Sequence, residues 1–217
     1  MNLGVALLDP TKPEPAQASE ALEKALRLFR ESSYAWGESL ALITLGRFAL
    51  ATGRSQKALE RFEESLALTR DRRDEVGETI AIHHVAWAHL VLGENQIAAV
   101  EFLDALEKSA ALMHVEGVAY GLEGMVAIAA TNGAVERAGR MLGAAETLRA
   151  QSGLRNSAAQ AMYQPIIDAI AAGQFAEEFE RGRIAGRVLP LDAAVAFAIE
   201  STGAGGVGGS TLTKAPD

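Results

Sequence analysis

The chain contains no cysteine, which excludes disulfide bonds, thiolate metal sites and cysteine nucleophiles. It also has no apolar run near the roughly 20 residues that a membrane-spanning helix needs. Basic residues form no long stripe, and the net charge of −8 disfavours binding to a phosphate backbone. The first nine residues lack the basic segment of a signal peptide. We therefore expect a cytoplasmic protein that binds neither membranes nor nucleic acid directly.

Sequence signatures of catalysis are missing as well. The chain has no Gly-x-x-x-x-Gly-Lys-Ser/Thr phosphate-binding loop and no Gly-x-Ser-x-Gly nucleophile elbow. Its four histidines include no pair at the i, i+4 spacing that holds a metal on one helix face; they are His83, His84, His89 and His114. We expect no enzyme activity, no cofactor and no metal, and an enzyme is the minor alternative.

What the sequence does contain is a period of 40 residues. Small and apolar residues recur at this step: Gly37, Gly77 and Gly117; Gly53, Gly93 and Gly133; Ala58, Ala98 and Ala138. Each unit holds two segments of helix length separated by a glycine, and apolar residues within them recur at spacings of three and four. Such units bury their apolar faces only by stacking on one another. The pattern predicts an all-α solenoid of helical hairpins.

The period divides the chain into four parts. Residues 1–34 align with the later part of a unit and include a proline-rich linker, so we interpret them as a truncated first repeat. Three complete repeats follow at 35–74, 75–114 and 115–153. Residues 154–201 break the period and predict a helical cap of three shorter helices, near 157–172, 174–186 and 190–200. Residues 202–217 are glycine-rich and predict a disordered tail.

The spacing of small and large residues within a unit resembles the tetratricopeptide repeat. The first complete unit carries this pattern at Leu42, Leu45, Gly46, Ala49, Ala58, Phe62 and Ser65, and the next two units repeat it. The resemblance implies a right-handed α-solenoid that binds other proteins. The family's usual repeat is 34 residues long, so the longer unit here leaves a HEAT-like array as the alternative fold.

The last third has a second resemblance. Residues 136–149, 179–183 and 189–195 are similar to the C-terminal tetratricopeptide-like tail of large signalling ATPases and LuxR-type regulators, which are common in actinobacteria. This resemblance implies a bacterial sensor tail that acts through self-association or through an upstream domain and does not itself bind DNA. The exposed face of the first repeat would then support a homo-oligomer.

The geometry of the tetratricopeptide family places one stripe of each first helix on the concave side of the array. A partner protein or peptide would bind there, because aromatic and arginine residues dominate binding hot spots. The residues that this implies are Leu40, Ile43, Arg47, Ile80, His83, Trp87, Tyr120 and Glu123. The open alternative is that the groove is filled by the cap helices, by a missing domain or by a second copy of the chain.

Overall fold

The computed structural model of the chain describes residues 15–153 and 160–203. These residues form only helices and short connections, and the helices are α1 (Pro15–Glu31), α2 (Ala35–Ala51), α3 (Ser55–Arg72), α4 (Glu75–Val91), α5 (Asn95–Ala111), α6 (Val115–Thr131), α7 (Val135–Gln151), α8 (Gln160–Ala171), α9 (Ala176–Gly186) and α10 (Leu191–Gly203). The all-α prediction is confirmed for this part of the chain. The predicted start of the first repeat and the glycine-rich tail lie largely outside the described residues.

Helices α1 to α7 form an array in which each helix packs against the next. From α2 to α7 a helix begins every 20 residues, at 35, 55, 75, 95, 115 and 135. Helix α4 also contacts both α2 and α6, so these three helices form one row, which we call the inner row. This arrangement agrees with the coarse prediction of stacked helical hairpins.

Left-handed backbone residues end the helices of this array. The residue two positions before each new helix has a positive φ, between 53° and 82°, at Ser33, Gly53, Arg73, Gly93, Met113 and Gly133, and Gly153 continues the series after α7. Glycine occupies these angles without steric cost, whereas other residues pay about 1–2 kcal/mol. The glycine period in the sequence therefore records every second turn, and the turns between repeats carry non-glycine residues in the same conformation.

Phenylalanines of the second helices fill the space that glycines of the first helices leave open. A Cβ added to Gly46 would collide with the ring of Phe62, and one added to Gly124 would collide with the ring of Phe102. Both rings are fully buried. Large side chains therefore pack against exposed backbone, and this packing explains the small–large alternation in the sequence.

The cap attaches to the array through a close contact of two helices. Gly139 and Gly143 on α7 face Gly182 and Gly186 on α9, and a Cβ at any of the four would collide with backbone of the opposite helix. Glycine at a four-residue spacing permits this approach because successive members lie on one helix face. Helix α8 packs on α6 and α9, and α10 packs against α5, α6 and α7. The three predicted cap helices are thus present, beginning at 160, 176 and 191.

Candidate functional site

Four of the eight residues predicted to bind a partner are buried, which corrects the expectation of an open groove at those positions. Ile43, His83, Trp87 and Glu123 are 5%, 4%, 2% and 1% exposed. Ile43, His83 and Glu123 occupy the same position in successive repeats, so one register of the stripe points into the packed array. Ile43 joins a core cluster with residues of α3 and α4. The stripe therefore supplies core residues as well as surface.

The other four predicted residues keep some exposure. Leu40 is 49% exposed, and Arg47, Ile80 and Tyr120 are half-buried. Leu40, Ile80 and Tyr120 again share one repeat position. All eight residues thus lie on the inner row. The repeat position that Leu40, Ile80 and Tyr120 share stays partly accessible.

A buried ion pair lies at the centre of the third repeat. Arg149 on α7 donates two hydrogen bonds to the carboxylate of Glu123 on α6, from Nε to Oε1 at 2.6 Å and from Nη2 to Oε2 at 3.0 Å. Tyr163 on α8 donates a third, longer bond to Oε1 at 3.4 Å. A bidentate pair of this kind fixes both the distance and the orientation of the two groups. Three helices are therefore joined at one carboxylate.

Aromatic rings continue this contact along the inner row. The guanidinium carbon of Arg149 lies 4.6 Å from the centre of the Tyr120 ring, which is cation–π distance. The Tyr120 ring lies 5.3 Å from the ring of His83, and Trp87 Nε1 donates a hydrogen bond of 2.9 Å to His83 Nε2. His83 Nε2 accepts this bond, so the ring is neutral with its proton on Nδ1. The group connects the second and third repeats.

Burial holds the two adjacent histidines in their neutral form. It lowers the pKa of His83 well below its ordinary value, and the charges of His84 and Arg149 lower it further. Burial also lowers the pKa of His84 to about 4, with Arg47 as the next cause. Burial likewise lowers the pKa of Arg47 from its usual value. Burial therefore disfavours a positive charge on His83, His84 and Arg47, where the helices of the inner row pack together.

Helix α8 packs on α6 of the inner row, and a cavity of about 550 Å³ lies between α8 and the row. The walls come from α2, α4, α6 and α8 and from the start of α5; they are Arg47, Leu50, Ala51, Trp87, Leu90, Val91, Asn95, Thr131, Met162 and Ile166. A cap helix thus covers part of the face that the sequence assigned to a partner. The cavity is one part of that face which the cap does not fill.

An exposed apolar patch lies at the N-terminal end of α2, the first helix of the inner row. Trp36 and Leu40 are one helical turn apart on α2, and they are 62% and 49% exposed. Tyr34, just before α2, is also 49% exposed, and its ring centre is 6.0 Å from that of Trp36. We call these three residues the α2 patch. Large aromatic groups at such exposure are candidates for contact with another molecule.

Two other features, a metal-binding cluster and a membrane-spanning helix, do not occur in the part of the chain that the structure describes. Within residues 15–153 and 160–203, no three His, Asp or Glu side chains gather as a metal site would require. Over the same residues, no helix has both the length and the apolar composition to cross a membrane.

Sequence reasoning missed Arg149, Tyr163 and two members of the α2 patch, Tyr34 and Trp36. Arg149 and Tyr163 lie outside the stripe, and nothing in their local pattern links them to Glu123. A signal for burial was present, because Glu123 shares its repeat position with Ile43, and a carboxylate at a core position requires a cationic partner. Trp36 could have been found as the residue one turn before Leu40 on the same stripe.

Searches with protein-family models, against curated proteins and against solved structures give no match to this chain.

Proposed function

We propose that this chain is a non-catalytic interaction module of tetratricopeptide type, which binds a partner protein or peptide through the exposed part of the inner row. The α2 patch carries the proposal. It offers two aromatic rings and a leucine at the start of the stripe, and Trp and Tyr are the residues most enriched in binding hot spots. Leu42 and Leu45 on α2 pack in one core cluster with Leu26 of α1, and this packing holds the helix that presents the patch.

The position of the patch favours a partner that lies along α2. Leu40, Ile43 and Arg47 follow Trp36 at helical spacing on one stripe, and exposure falls along it from 62% at Trp36 to 5% at Ile43. An amphipathic helix that places its apolar face in a groove reads such anchors at spacings of three and four. A short helix or extended peptide ending near Ile43 fits this gradient.

Site-specific photo-crosslinking in cells of the source organism tests the proposal. A photo-reactive amino acid replaces Leu40, and a second protein carries it in place of Val100, which is 68% exposed on α5 and far along the chain from the patch. We expect a discrete covalent adduct from position 40 that is missing from position 100. Trp36→Ser should remove the adduct while leaving the helical circular dichroism unchanged. Equal adducts from both positions, or persistence in Trp36→Ser, would refute binding at the patch.

A second candidate is a sensor tail of a transcriptional regulator or signalling ATPase that acts through self-association. The same patch favours it, because two apolar patches can pair about a two-fold axis. Sedimentation of the purified chain distinguishes the two candidates. A dimer that Trp36→Asp converts to a monomer supports self-association, whereas a monomer at micromolar concentration leaves the partner-binding proposal alone.

A further inference from the structure

We draw no further inference here: the strongest candidate, the cavity of about 590 Å³ between α7, α8 and α9, is lined by Arg149 and Arg183, which both already pair with carboxylates of the chain, so its described lining does not point to a class of ligand.

Discussion

Removing the guanidinium of Arg149 should destabilise the protein far more than removing that of Arg183. The two arginines form ion pairs with the same shortest distance, 2.6 Å, to Glu123 and Glu146 respectively. The pairs differ in burial, since the side chains of Arg149 and Glu123 are 9% and 1% exposed and those of Arg183 and Glu146 are 30% and 34% exposed. Arg183 also pairs with Glu180, and Glu146 also pairs with Arg187, so the second pair has both more solvent and other charged partners.

The expected magnitude follows from what remains after the substitution. Arg149→Met removes the bidentate partner of the buried Glu123 carboxylate and the contact with the Tyr120 ring, so the free energy of unfolding should fall by about 3–5 kcal/mol. Arg183→Met leaves Glu146 partly in water and should cost about 1 kcal/mol or less. The double variant Glu123→Leu/Arg149→Met removes both charges and should recover most of the loss.

Urea unfolding followed by far-ultraviolet circular dichroism measures these differences, and pH provides an internal check. Without Arg149 the folded-state pKa of Glu123 should rise above its unfolded value, so the folded state takes up a proton as the pH falls. The stability deficit of Arg149→Met relative to the parent should therefore shrink between pH 7 and pH 5. Equal losses of unfolding free energy for Arg149→Met and Arg183→Met would show that burial does not set the cost of removing the arginine. A stability deficit of Arg149→Met that does not change with pH would show that Glu123 is not left as a buried charge.

Three further predictions concern stability. Burial lowers the pKa of His84 to about 4 in the folded state, whereas the unfolded value is about 6.5, so the neutral histidine stabilises the fold above pH 6.5. Roughly 3 kcal/mol of this stability should be lost as the pH falls towards 4. His84→Leu should flatten this part of the profile of melting temperature against pH. Gly143→Ala should lower the free energy of unfolding by at least about 2 kcal/mol, because the added Cβ would collide with the backbone of α9. Gly53→Ala should cost only the roughly 1–2 kcal/mol that its positive φ imposes on alanine. Similar losses for the two variants in urea unfolding would contradict the close packing of α7 on α9. Met113→Gly should raise stability by about 0.5–1 kcal/mol, because Met113 is 84% exposed and has φ of 53°; a loss of stability would show that its side chain contributes packing.

The periodic part of the fold could be predicted from the sequence because each repeat position has one local role. Gly53, Gly93 and Gly133 mark turns, and α2, α4 and α6 begin at residues 35, 75 and 115, where the predicted repeats begin. The turns at Ser33, Arg73 and Met113 were harder to recognise, since their residues do not reveal a positive φ. The positive φ recurs at every turn of the array, although the residue that adopts it differs from one turn to the next.

The candidate site was predicted less well, because exposure depends on contacts between distant segments. His83 and Trp87 lie on the predicted stripe, but their burial results from rings on neighbouring helices, namely Phe102 on α5 and Tyr120 on α6. The covering of the inner row by α8 involves Met162 and Ile166, whose positions no period specifies. Gly139, Gly143 and Gly182 lie in segments that carried the second resemblance, and their role with Gly186 as a helix contact becomes clear only when α7 and α9 lie side by side.

The inner row is closed at Trp87, which is 2% exposed, and open at Trp36, which is 62% exposed. Acrylamide quenching of tryptophan fluorescence measures this difference directly, with Trp36→Phe reporting Trp87 alone and the difference from the parent reporting Trp36. We predict that Trp87 emits at short wavelength and is protected from quenching, and that Trp36 is quenched nearly as readily as a free tryptophan derivative. Comparable quenching of the two residues would show that the inner row is not closed at Trp87.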